Sequence, residues 1–205
     1  MSKLKIGIVG KGYFGKKILD AIKNICEIVF FTGKELDISF DIDWAIVASS
    51  NDSHFDLCKL FIEKGINVFV EKPICKKSTQ ARELLELAKK NNVKFYVDDV
   101  FMHHPVINNL KKYKKEKFKF KWEKYGTFND DIFYNLCYHD IYILLNFGHQ
   151  LSEKIIFKTN KVNEKVFYIG EHQFSYNRVS NNKDKEVIVA RKKFNFKTDE
   201  NPLKI

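Results

Sequence analysis

Three glycines near the start of the chain constrain it most. A short apolar run, Ile6-Gly7-Ile8-Val9, reads as a buried strand and leads into Gly10-Lys11-Gly12-Tyr13-Phe14-Gly15. Phe14, Ile18, Ala21 and Ile22 then recur at helical spacing. In a strand, G-x-G-x-x-G, helix unit each glycine has a physical task. One permits the tight turn, one lets backbone approach a pyrophosphate, and one lets the helix pack closely on the strand. The helix N-terminus adds free N–H groups and the positive end of its dipole. Residues 10–15, with Tyr13 and Phe14 between the last two glycines, are therefore read as a dinucleotide-binding loop.

The chain continues in the same grammar to about residue 98. Glu27–Phe31 reads as a second buried strand, ending in Thr32-Gly33-Lys34. An NAD site is expected to place an acid there for the ribose hydroxyls. Glu35 and Asp37 come a few residues too late for the simplest placement, whereas a hydroxyl followed by a lysine suits a 2′-phosphate. The cofactor is thus NAD or NADP, with an inclination to NADP; Thr32-Gly33-Lys34 also reads as a plain turn. Between Phe31 and Trp44 there is no room for a helix and another strand, so one α/β unit is pared down.

Trp44–Ala48 is a clear buried strand running into Ser49-Ser50-Asn51-Asp52-Ser53-His54. Ligands of open parallel sheets bind beyond the carboxyl ends of the strands, so Ser49, Ser50 and Asn51 should face the cofactor. Asp52 or Ser53 is expected to cap the next helix. His54 reads equally as a cofactor contact or as part of that helix's first turn. The strand 66–70 then runs into Glu71-Lys72-Pro73, a helix is expected over 79–91 with Ser78 as its cap, and a last strand over 94–98. This alternation is that of a doubly wound parallel sheet.

From Asp99 the pattern changes. A short helix follows His103-His104-Pro105. Residues 117–123 alternate lysine with aromatic, as a half-buried strand does, and 135–147 reads as an apolar helix. Strands are expected over 154–158, 165–169, 173–179 and 186–196, with Asn181-Asn182-Lys183-Asp184 as a hairpin turn. Residues 1–99 are read as a dinucleotide-binding Rossmann domain, and 100–205 as a reduced α+β domain for substrate binding and oligomerisation.

Composition narrows the class. The chain has 205 residues, 36 Lys+Arg against 26 Asp+Glu, and a formal charge of +10. No nucleic-acid motif accompanies that charge, which suits a phosphate-bearing small molecule. No apolar run approaches the roughly 18 residues of a membrane span, and with a strand so close to Met1 no signal peptide is expected. Cys26, Cys58, Cys75 and Cys137 are scattered without ligand-like spacing, which favours reduced thiols in a cytoplasm over a zinc site or disulfides.

Two features carry chemistry. Lys72 follows a parallel strand directly, where the reactive end of a dinucleotide would lie; a desolvated lysine there can move a proton or polarise a carbonyl. Asn135 and His139 stand four apart on an apolar helix and so share a face. His139 is either a satisfied core residue or a general acid–base. Phe101, His103, His104, Tyr125 and Tyr138 are further candidate substrate contacts.

The order G-x-G-x-x-G, Ser50-Asn51 ahead of His54, Glu71-Lys72-Pro73, then Tyr134-Asn135-Leu136-Cys137-Tyr138-His139-Asp140-Ile141 resembles the glucose–fructose oxidoreductase / inositol dehydrogenase (Gfo/Idh/MocA) family over residues 3–148. The resemblance implies a Rossmann domain followed by a domain with an open, mostly antiparallel sheet. It also implies NAD(P)-dependent hydride transfer to or from a sugar or nucleotide-sugar carbon, in carbohydrate metabolism. Gly10, Gly12, Gly15, Glu71 and Lys72 match cofactor-binding positions, Lys72 also the substrate-polarising lysine, and His139 the catalytic histidine. A cis Lys72–Pro73 bond and a homodimer or homotetramer built on the second sheet are implied too. Two departures stand out: the chain is short for the family, and Asn135 replaces the family's Asp. Asn cannot accept a proton as a base, so a catalytically weakened dinucleotide-binding sensor or partner subunit is the alternative.

Overall fold

The computed structural model describes residues 3–33, 41–123 and 131–196. The chain divides into two compact units, Met1–Asp99 and Val100–Ile205.

In the first unit, strands β1 (Lys5–Val9), β2 (Glu27–Thr32), β3 (Trp44–Val47), β4 (Asn67–Val70) and β5 (Phe95–Val97) form one parallel sheet, ordered β2-β1-β3-β4-β5. Their apolar runs are covered on both faces, as parallel strands require. Ile6, Ile8, Ile46 and Ala48 pack with Ile18 of helix α1 (Tyr13–Ile22). The alternate residues Val9, Ala45, Val47, Val68 and Val70 pack with Phe61 and Ile62 of α2 (His54–Glu63) and Leu84 and Ala88 of α3 (Ser78–Lys90). Ser78 is the first residue of α3 rather than its cap; Lys77 holds the cap position. The shortened connection between β2 and β3 falls largely on residues 34–40, outside the described residues.

In the second unit, α4 (Pro105–Leu110) precedes strand β6 (Phe118–Glu123), and a π-helical turn, Phe133–Cys137, leads into α5 (Tyr138–Asn146). Strands β7 (Ile155–Asn160), β8 (Glu164–Ile169), β9 (His172–Asn177), β10 (Asp184–Val189) and β11 (Lys192–Asn195) complete a sheet ordered β11-β10-β6-β9-β8-β7. The sheet is mixed but mainly antiparallel: only β6 and β9 run parallel. Phe118, Phe120 and Trp122 of β6 lie in the core, with Phe174 and Tyr176 of the neighbouring β9 and Phe167 of β8.

Two sequence expectations fail here. Asn181-Asn182-Lys183-Asp184 does not make a hairpin, because β6 lies between β9 and β10 and bonds to both. Residues 186–196 are not one strand but two. Ala190 and Arg191, with φ of 50° and 61°, form a two-residue turn closed by the pair Val189–Lys192. Both central residues of such a turn need positive φ, and neither glycine nor asparagine is there to announce it.

Candidate functional site

The glycine loop is built by packing on two of its glycines and left open at the third. Gly10 has φ of +122° and donates its N–H to Thr32 O at 2.8 Å. A Cβ on Gly10 would strike the Ala48 carbonyl, and one on Gly15 would strike the carbonyl oxygen of Gly10. Gly12 is different: a Cβ there would meet nothing within 4 Å, and its φ of −71° suits any residue. Gly12 is also the N-cap of α1, whose first turn holds no acid. The leading N–H groups of α1 have no acceptor within the helix and stand at its positive dipole end, an arrangement of the kind that fits a pyrophosphate. Tyr13 (68% exposed) and Phe14 flank it, with the Lys17 ammonium 4.5 Å from the Tyr13 ring centroid. Thr32 closes β2 as expected, while Lys34, Glu35 and Asp37 lie outside the described residues.

Beyond β3, Asn51–Ser53 form a 3₁₀ turn before α2. Ser49 Oγ lies 2.7 Å from Ser53 Oγ, and Ser53 Oγ donates to Ser50 O at 2.8 Å. Ser53 thus ties the loop to itself instead of capping α2 with its side chain. Asp52 pairs with Lys76 at 2.5 Å. His54 is buried, its Nδ1 2.8 Å from Pro73 O and its Nε2 3.2 Å from Ser49 O. Both nitrogens face backbone carbonyls, so the imidazole shapes two loops and is not presented as a ligand contact.

Those loops stand at the carboxyl ends of β3 and β4. Glu71 N donates to Val47 O at 2.9 Å and Asp98 N to Val70 O at 2.8 Å, which carries the ladder one residue past each strand. The Lys72–Pro73 peptide is cis. Burial, and then the charge of Asp98, push the Glu71 carboxyl up to about 7, although Lys72 acts against them. Asp98 and Asp99 are themselves buried. Neither stands out in the sequence by residue type, yet each follows a parallel strand just as Lys72 does, and that position is their signal.

In the second unit His139 is buried in the first turn of α5. Its ring centroid lies 4.6 Å from Phe101 and 5.9 Å from Trp122. Asn135 belongs to the preceding π-helical turn, which follows an i→i+5 pattern, so a spacing of four across that junction does not carry the shared face of a uniform α-helix. Of the other candidate contacts, His103 is exposed, and His104 is buried with its Nδ1 accepting from Val106 N–H at 3.2 Å as the cap of α4. Tyr125 lies outside the described residues. Asp140, Tyr176 and Lys185, unmarked in the sequence, form a hydrogen-bonded group in the core of this unit. Lys185 stands in the same alternating phase as the buried Val187 and Val189, and that phase was its signal.

Among the described residues no group of three or more His, Cys, Asp or Glu is placed to hold a metal ion, and no helix is long and apolar enough to cross a membrane.

Comparison with known proteins places this geometry. An uncharacterized oxidoreductase of Streptococcus pneumoniae is 30% identical over 127 residues, 49% of this chain and 35% of that protein. The chain thus matches about a third of that relative's length. Among solved structures, the UDP-N-acetylglucosamine 3-dehydrogenase GnnA of Acidithiobacillus ferrooxidans superposes with a TM-score of 0.82 at 14% identity, over 99% of this chain and 86% of that one. The WlbA (WbpB) dehydrogenase of Thermus thermophilus, solved with NAD and UDP-GlcNAcA, gives 0.81 at 14% identity over 99% and 85%. At such identities the likeness is one of fold. Residues 29–99 match the model of the oxidoreductase family with an NAD-binding Rossmann fold, GFO_IDH_MocA.

Proposed function

We propose that this chain is an NAD(P)-dependent oxidoreductase that transfers hydride to or from a carbinol or ketone carbon of a sugar or nucleotide sugar. The observation that carries the reading is Gly12, open on its outer side at an uncapped helix N-terminus while Gly10 and Gly15 are locked by packing. The fold itself leaves room for a side chain at Gly12, whereas a pyrophosphate held there would not. Gly10, Gly12, Gly15 and the N–H groups of Tyr13 and Phe14 would hold that pyrophosphate, and Thr32, Ser49, Ser50, Asn51, Glu71 and Lys72 would meet the rest of the dinucleotide. When bound, the nicotinamide supplies or takes the hydride.

The remaining steps belong to the protein's own groups. The Lys72 ammonium stabilises negative charge developing on the substrate oxygen, and His139 or Lys72 gives that oxygen its proton in the reducing direction. Asn135 can orient a hydroxyl but cannot act as a base. Nucleotide-sugar dehydrogenases among the structural relatives support the substrate class, as does the net positive charge. The cofactor inclines to NADP because β2 ends at Thr32, and Gly33 and Lys34 follow in the sequence. The reading includes a cytoplasmic homodimer or homotetramer, assembled on the second sheet and acting in carbohydrate metabolism.

The alternative, a non-catalytic dinucleotide-binding partner subunit, rests on Asn135. Fluorescence titration with NADH and NADPH, followed by keto-sugars and nucleotide sugars, separates the two. Turnover that Lys72→Ala abolishes supports the enzyme, and binding without turnover supports the partner subunit. No binding of either nucleotide would overturn both.

A further inference from the structure

Strand register in the second unit sets up an unusual row. Lys185 of β10 is paired with Trp122 of β6, and Trp122 with Tyr176 of β9, so the three side chains share the buried face of the sheet side by side. Asp140, in the first turn of α5, is fully buried against them. Lys185 Nζ lies 2.6 Å from Asp140 Oδ1, and Tyr176 Oη donates to Asp140 Oδ2 at 2.8 Å. The ammonium is enclosed by rings, 4.1 Å from the centroids of both Phe101 and Trp122 and 5.3 Å from that of Phe196. Phe196 is fixed there by its N–H, which donates to Lys185 O at 2.8 Å.

A buried ion pair is a poor stability device, because desolvation offsets most of the attraction and an apolar pair of similar volume often serves as well. Its use here is found in what the rings touch next. Phe101 and Trp122, which hold the Lys185 ammonium, are also the rings around His139, and Asp140 is the next residue in the chain. One carboxylate thus fixes the turn that carries the imidazole, while one ammonium fixes its walls through cation–π contact.

We propose that Lys185 and Asp140 are positioning residues for His139. They reach no substrate themselves and act by holding the α5 turn and the Phe101 and Trp122 rings in one arrangement. The importance of that arrangement for turnover rests on the acid–base role proposed for His139; the positioning itself does not.

The test is a histidine ring spectrum of the full chain by two-dimensional NMR. The chain has six histidines, and the His139 cross-peak is identified by its loss in His139→Gln. The charge-free pair Lys185→Met with Asp140→Asn keeps an acceptor for Tyr176 and a side chain that packs well on rings. This variant should retain the wild-type urea midpoint and the His54 cross-peak while displacing the His139 cross-peak by several linewidths. A folded variant with His139 at its wild-type position overturns the proposal. Should the pair fail to fold, Tyr176→Phe decides by the same displacement, because it removes one hydroxyl and spares both charges. With turnover in hand, the paired variant should lose on the order of tenfold to a hundredfold in kcat at unchanged cofactor KM. A displaced His139 cross-peak with undiminished kcat would leave the positioning standing and refute the acid–base reading.

Discussion

The imidazole of His54 joins its own loop to one nineteen residues further along the chain, with Nδ1 2.8 Å from Pro73 O and Nε2 3.2 Å from Ser49 O. A neutral imidazole carries one N–H and donates to one of these carbonyls at a time. Replacement by Phe preserves volume but leaves a buried carbonyl without a donor, which costs about 1–3 kcal/mol. His54→Phe should therefore unfold at lower urea than wild type by that amount, and His54→Gln, which keeps a donor, should fall between the two. Equal midpoints for all three would refute the bridging role.

Glu71 gives a pH dependence with a defined sign. Its folded-state value of about 7 lies above the ordinary 4.5, so the folded chain binds this proton more tightly than the unfolded one. Stability from this group is lost as pH rises from 4.5 to 7. At about 1.4 kcal/mol per pH unit, the loss is on the order of 3 kcal/mol. Glu71→Gln cannot titrate, so its advantage over wild type in urea midpoint should grow across that window and level off above it. A pH-independent difference would contradict the assignment.

His149 and His172 titrate the other way. Their rings meet edge to face at 4.6 Å, and burial lowers both below the ordinary 6.5. His172 Nδ1 also accepts from Phe118 N–H at 3.2 Å, a bond that only the neutral ring can make through that nitrogen. The unfolded chain binds these protons more tightly, so their stability is present above about 6.5 and is lost as pH falls through the depressed values. His149→Phe keeps the ring contact and removes one titration. Urea midpoints at pH 5 and pH 8 should converge in this variant relative to wild type.

Much of the first unit was legible because its signals are local. Val9, Val47 and Val70 end apolar runs, each followed by a loop whose residues proclaim a turn or a site. The second unit depends on partners that the sequence does not name. Nothing local to Phe118–Glu123 says that β6 will lie between β9 and β10. Ala190 and Arg191 turn the chain at positive φ without a turn residue, and the π-helical turn at Phe133–Cys137 alters how Asn135 and His139 are offset. Lys185 and Asp140 were hidden for another reason. A charged residue in an apolar phase reads as an interruption until its partner, forty-five residues away, is seen beside it.

Gly12 and Gly15 separate the fold from its ligand. Gly15→Ala places a Cβ on the carbonyl oxygen of Gly10 and should cost about 1–3 kcal/mol through overpacking. Gly12→Ala meets only open space and should stay within about 0.5 kcal/mol of wild type.

The most direct measurement is therefore a fluorescence titration of wild type and Gly12→Ala with NADH and NADPH, beside their urea midpoints. Saturable binding by wild type, weakened at least about tenfold (1.4 kcal/mol) in an equally stable Gly12→Ala, is the result expected of a pyrophosphate cradle at Gly12. Wild-type protein that binds neither nucleotide, or Gly12→Ala that binds as tightly as wild type, would contradict it.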